Sequence, residues 1–114
     1  MNRQKTGNEN PDLGVKYDEG KPRPGLLPPE ALLEISAVLE FGARKYSDDN
    51  WQLVPEWRKR YLDAMLRHVL AWMAGVKQDE ETGRHPLAHA GCCLLYLLNQ
   101  ELTGAPDDPG VPDA

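Results

Sequence analysis

Little in this chain permits covalent cross-linking, membrane insertion or indiscriminate capture of nucleic acid. It has two cysteines in 114 residues, Cys92 and Cys93, and they are adjacent. Neighbouring Cα atoms lie about 3.8 Å apart, closer than a disulfide ordinarily allows, so the pair is not expected to bridge itself. A reducing compartment fits that usage. No apolar run approaches the ~20 residues of a membrane span. The opening stretch MNRQKTGNENPDLG lacks the apolar segment of a secretory signal, so the expectation is a soluble, cytoplasmic protein. A basic excess is missing too: Lys and Arg number 13 against 18 Asp and Glu, a net charge of -5. A sequence-independent grip on a nucleic-acid polymer needs a basic face, so none is expected. A small phosphorylated ligand needs only a few placed cations and stays open.

What the chain does have is punctuation at its ends and periodicity between them. Residues 1–28 carry Gly7, Pro11, Gly14, Gly20, Pro22, Pro24, Gly25 and Pro28, which reads as an extended arm. The tail from Gly104, GAPDDPGVPDA, has no apolar period and is predicted to be disordered. Residues 29–103 must supply the core, and so short a segment points to completion by a homo-oligomer. Three helices are legible there. The first opens at Pro28-Pro29-Glu30 and runs to about Lys45, with Leu32, Ile35, Val38, Leu39, Gly42 and Ala43 on one face. The second spans about Glu56 to Ala74 with a wide apolar arc, which suggests packing on two sides. The third begins near Pro86 and ends at Thr103-Gly104. No alternating strand pattern of useful length occurs. The fold expected is all-α: a small bundle of three main helices with an extended amino-terminal arm, completed by oligomerisation.

Several side chains stand out chemically. Glu34 and Lys45 flank the first helix's apolar stripe, whereas Glu40 and Arg44, i,i+4, read as an exposed ion pair. The connector VKQDEETGRHPLAH places Asp79, Glu80 and Glu81 in a loop and His85 and His89 four apart on a helix. Hard cations take carboxylate oxygens, and Mn²⁺ also takes imidazole. Glu34, Asp79, Glu81 and His89 therefore form a candidate metal or catalytic set if the first and third helices are neighbours. The plainer reading of the acids is a solvated loop ahead of a helix N-terminus. Zinc on the two histidines and two thiols is disfavoured because adjacent helical residues point about 100° apart. His68 lies in an aromatic arc, as core histidines also do, and Arg67 can pair with Asp63. Lys16, Lys21 and Arg23 lie in a proline-stiffened stretch, VKYDEGKPRPG, able to fold over a phosphate chain or simply to be solvated.

The strings GVKYDEGKPRPGLLPPEALLEISAVLEFGARKYSDDNW, RH…AW…G and DEETGRHPLAHAGCCLLYLL resemble a phage and bacterial family, the amino-terminal domain of dATP/dGTP diphosphohydrolase. That family looks like a relative of the all-α, MazG-type nucleotide pyrophosphohydrolases. The resemblance covers about residues 14 to 100. It implies a helical homo-oligomer holding Mg²⁺ or Mn²⁺, acting on a purine (deoxy)nucleoside triphosphate to give monophosphate and pyrophosphate. In a phage-encoded protein the place would be the host cytoplasm. Carried over by position, Glu34, Asp79, Glu81 and His89 look like the metal or water-activating set. Lys21, Arg23, Lys45 and Arg67 look like phosphate contacts. Asn50 and Trp51 look like base contacts, and His68 is a further substrate-binding candidate. The chain has Val76 where the family usually has Glu after Gly75, and Glu30 and Glu34 are four apart rather than three. Those departures favour the alternative of a non-catalytic nucleotide-binding or sequestering module; a purely structural interaction protein is a third reading.

Overall fold

The computed structural model describes residues 11–109. These form α1 (Pro29–Lys45), α2 (Trp57–Met73) and α3 (Pro86–Thr103), with short 3₁₀ turns at Pro24–Leu26 and Asn50–Leu53. No strand occurs among the described residues. The architecture is the all-α arrangement of three main helices that the periodicity predicts.

Each helix starts and stops for a local reason. α1 opens on Pro29, whose missing N–H costs nothing at a first helical position, with Glu30 in its first turn and Arg44 and Lys45 in its last. α3 opens on Pro86 as well, and the His85 Nδ1 accepts from the Leu87 N–H at 3.0 Å, so His85 caps the helix. It closes on Gly104, whose φ of 68° only glycine adopts without strain, and the Ala105 N–H returns to the Gln100 carbonyl at 3.0 Å. α2 starts less comfortably. Glu56 sits in the left-handed region at φ 56° and ψ 38°. Two acceptors hold its N–H there: the Asp107 carbonyl and Asp108 Oδ1, both at 2.9 Å.

Those acceptors belong to the tail, which departs from the disorder its composition predicts. Trp57 is wholly buried, and its Nε1–H donates to the Pro106 carbonyl at 2.8 Å. Arg58 pairs with Glu101 at 2.8 Å and faces Asp107. A buried indole must find an acceptor for its N–H, and here the acceptor lies just beyond α3. Residues 110–114 lie outside the described segment.

α3 is the middle helix. It packs on α2 along most of its length and on α1 over a shorter stretch, while α1 and α2 barely meet. Val38, Ala88 and Cys92 make the buried cluster, flanked by Ile35, Leu39 and Tyr96. Gly91 lets α1 approach: a Cβ there would lie 2.7 Å from Ile35 Cδ1. The result is a layer one helix thick, with two faces. On one, a cavity opens between α1 and α2 above α3. On the other lie Leu62, Leu66, Leu70 and Met73 of α2 and Leu87, Leu94, Leu98 and Leu102 of α3, each 40% exposed or more. At 100° per residue the members of each set share one side of their helix.

The arm is built differently. Residues 11–28 are all exposed, including Leu13, Val15, Tyr17, Leu26 and Leu27. The radius of gyration, 19.4 Å, compares with about 13 Å for a compact chain of this length. No helix among the described residues is long and apolar enough to cross a membrane.

Candidate functional site

The cavity has a volume of about 270 Å³ and two chemically distinct ends. One end is aromatic. Trp51 stacks on Tyr96 with ring centroids 4.5 Å apart and planes within 10°, and Tyr61 leans on Tyr96 at 5.0 Å. The turn carrying Asn50 and Trp51 is tied down twice. The Tyr61 hydroxyl donates to the Trp51 carbonyl at 3.0 Å, and buried Gln100 donates to the Gln52 carbonyl at 3.3 Å. Burial, with the neighbouring Cys93 and Cys92, pushes the Tyr61 hydroxyl up to about 12. Burial raises both thiols as well, Cys93 to about 12, so they remain protonated and unreactive at neutral pH. Both are free.

The other end is a loop wound around one carboxylate. Asp79 Oδ2 accepts from the Glu81 N–H and the Thr82 N–H, each at 3.0 Å, and from the Thr82 hydroxyl geometry at 3.3 Å. Its own N–H donates to the Arg84 carbonyl at 2.7 Å, and its carbonyl accepts from Gly83 at 2.8 Å. The bond from the N–H two residues on, Glu81, to the Asp79 side chain makes this an Asx-type turn, in which a side chain takes the place of a backbone acceptor. Thr82 Oγ1 also accepts from the Arg84 N–H at 3.1 Å and lies 2.7 Å from His89 Nε2. His89 Nε2 is 3.6 Å from Asp79 Oδ2. Asp79, Thr82 and His89 thus form a connected acid–hydroxyl–imidazole set. The His68 ring stacks on His89 with centroids 4.5 Å apart.

The electrostatics follow from these contacts. Burial pushes the Asp79 carboxyl up, but the Thr82 N–H, His89, the Glu81 N–H and the Thr82 hydroxyl together hold it below the usual carboxylate range. Burial, then His89 beside it, lowers His68 below 6.5. Lys45 is raised by its hydrogen bond to Glu81 and by Tyr46.

The sequence candidates are distributed as follows. Lys45, Asn50, Trp51, His68, Asp79, Glu81 and His89 line the cavity. Arg67 lies outside it but lines an adjoining cavity of about 600 Å³ with Arg60, and the two cavities share Tyr46, Asn50 and Tyr61. Glu34 lines neither: its Oε1 accepts from Arg84 Nη1 at 2.9 Å. Lys21 and Arg23 are exposed on the arm and line neither cavity. Thr82, Arg84, Tyr61 and Tyr96 are the contributors that sequence reading did not assign. The Asp-x-x-Thr-Gly spacing was the available signal for Thr82; nothing local marks Arg84, whose partner is 50 residues away.

Among the described residues no group of three or more His, Cys, Asp or Glu side chains is disposed to hold a metal ion. Glu81 is engaged by Lys45 at 2.8 Å, Glu34 by Arg84, and one oxygen of Asp79 by its own loop. The residues of one chain therefore do not fit a resident ion caged by protein alone. Mg²⁺ commonly takes one or two carboxylates together with the phosphates of its ligand.

One cavity of this helical layer thus joins a stacked aromatic end to an acid–imidazole end. The chain belongs to the family described as dATP/dGTP diphosphohydrolase, N-terminal, whose model matches residues 11–109. It is 39% identical over 85 residues to a protein of Salmonella phage PMBT28 named dATP/dGTP diphosphohydrolase. That match covers 75% of this chain but 29% of the phage protein, so the chain spans less than a third of its relative's length. No solved structure matches significantly.

Proposed function

We propose that the cavity binds a purine deoxynucleoside triphosphate, dATP or dGTP, and hydrolyses it to monophosphate and pyrophosphate. The observation that carries this reading is the union, in one cavity, of an aromatic stack suited to a base and an Asp79–Thr82–His89 set suited to water. Stacking is indifferent to base identity, so Asn50, a donor and an acceptor on the same turn, reads the purine edge. From the aromatic end the triphosphate runs toward the Asp79 loop, where it meets Lys45, while Arg67 and Arg60 line the adjoining cavity.

In the reaction the α-phosphorus is attacked by water and the bond to the bridging oxygen breaks, releasing pyrophosphate. His89, oriented through Thr82 and the Asp79 carboxylate, takes the proton of that water. Lys45 and Arg67 offset the charge that grows on the departing phosphates. For Lys45 to do so, the phosphates compete with Glu81 for its ammonium. Binding therefore frees the Glu81 carboxylate into the cavity, beside Asp79. Glu34 acts through Arg84, which fastens the loop to α1. A Mg²⁺ or Mn²⁺ ion that arrives on the phosphates would neutralise part of their charge, with the Asp79 and Glu81 carboxylates as its protein side.

Incubation with each deoxynucleoside triphosphate and Mg²⁺ or Mn²⁺, with separation of the products, tests the reading. Deoxyadenosine or deoxyguanosine monophosphate and pyrophosphate are expected. Tight binding of an unchanged nucleotide by calorimetry would instead favour a sequestering module, a reading that Val76 and the lack of a caged metal set support.

A further inference from the structure

The aromatic end of the cavity is carried by a four-residue turn, Asn50–Leu53, whose position depends on what the turn is tied to. We infer that the segment after α3, residues 105–108, is a strap that sets this turn from outside the cavity, with Asp108 as a positioning residue for the purine. The inference rests on the nucleotide reading above and adds a residue that lines neither cavity.

The strap is attached at three points. The Ala105 N–H donates to the Gln100 carbonyl at 3.0 Å, and the Pro106 carbonyl accepts from the Trp57 indole at 2.8 Å. The third point is Glu56, whose N–H donates to the Asp107 carbonyl and to Asp108 Oδ1, both at 2.9 Å. Glu56 is the only residue other than glycine with positive φ among the described residues. A side chain disfavours that region by an amount comparable with the net worth of one or two hydrogen bonds. Two acceptors on a single N–H offset that cost, and one of the two is the Asp108 side chain.

Glu56 passes its conformation on to the turn. Only Val54 and Pro55 separate it from Leu53, and neither has slack. The Pro55 ring fixes its own φ, and a residue before proline is held extended, as Val54 is at φ -72° and ψ 121°. Rotation at Glu56 therefore swings the turn instead of being absorbed between them. Gln100 joins the two parts a second time. It is 3% exposed, its carbonyl takes the strap's Ala105 N–H, and its amide donates to the Gln52 carbonyl of the turn at 3.3 Å. Tyr61 also holds the turn, through the Trp51 carbonyl, so losing one strap contact displaces the base platform without unfolding it. The Asp79 loop, at the other end of the cavity, shares none of these contacts. Loosening the strap thus weakens the hold on the base and leaves the chemistry alone, which in kinetics is a raised KM at constant kcat.

Four variants test the strap: Asp108→Ala, Asp108→Asn, Glu56→Gly, and Asp108→Ala combined with Glu56→Gly. Asp108→Ala removes one acceptor and should raise KM for dGTP about fivefold, roughly the worth of one hydrogen bond, with kcat within about twofold of wild type. Asp108→Asn keeps an acceptor oxygen and should behave as wild type. Glycine adopts the left-handed conformation without help, so Glu56→Gly should match wild type and the double variant should regain the wild-type KM. A strap that only stabilises the fold would lower the melting temperature of Asp108→Ala and leave KM alone, and that result overturns the inference. A fall in kcat, or a double variant no better than Asp108→Ala, overturns it equally. The Trp51 indole N–H resonance, recorded without nucleotide, gives a second readout: it should move in Asp108→Ala and return in the double variant. If the wild-type chain neither binds nor turns over dGTP, the nucleotide reading fails, while an unmoved Trp51 resonance in Asp108→Ala is what overturns the strap.

Discussion

At the scale of single residues, Asp79 does two jobs. Its carboxylate closes the loop, which needs an acceptor oxygen, and steadies His89, which needs the charge. Asp79→Asn keeps a carbonyl acceptor for the loop N–H groups but removes the charge. Turnover should fall at least 100-fold with unfolding midpoints little changed, by parallel kinetics and denaturation. Asp79→Ala removes the acceptor as well and should cost a further ~1–3 kcal/mol of stability. Equal stability for the two variants would mean that the loop is held by something else. His68 supplies a pH signature. Its folded value lies below the 6.5 of a free imidazole, so the unfolded chain binds the proton more readily. The stability it contributes is fully present above about that pH and is lost as pH falls through the folded value. Its ring resonances should titrate with a midpoint under 6.5, and a midpoint above it would contradict the stacked, half-buried placement.

At the scale of elements, the helices were legible and their attachments were not. Pro29, Pro86 and Gly104 announce helix ends by backbone rules that act within a few residues, and the apolar periods fix which side each helix buries. The Asp79 loop is equally local, yet a run of three acids conceals it, because Glu80 and Glu81 have the same charge and different work. Glu34 shows the other limit. Its position at the rim of the core follows from periodicity, but its partner Arg84 follows only from how α1 lies on α3. The docking of the tail on Trp57 is likewise invisible in a segment of Pro, Asp and Gly. Two substitutions measure these attachments. Tyr61→Phe deletes the hydroxyl that holds the Asn50–Leu53 turn and should cost about 1 kcal/mol by denaturant titration, with nucleotide binding weakened. Trp57→Ala opens a cavity where a fully buried indole stood and should cost about 3–5 kcal/mol. A loss under 1 kcal/mol would show that the tail and α2 are not packed as described.

At the scale of the molecule, the chain buries few of its large apolar side chains and exposes many. Composition foresaw the shortage of core, though not which surfaces it leaves open. Those surfaces make stability a property of concentration: a chain that pairs through its leucine face should melt at a higher temperature as its concentration rises. An invariant melting temperature over a hundredfold dilution series would argue against pairing. Everything functional, however, depends on where the nucleotide sits. The three tryptophans report that directly, because Trp51 lines the cavity, Trp57 is bonded to the tail and Trp72 lies near the end of α2. Their indole N–H resonances can be followed as dGTP is added. The account predicts a saturable shift of Trp51 while Trp57 stays in place. A shift confined to Trp57 or Trp72, with Trp51 unmoved at saturating nucleotide, would contradict it.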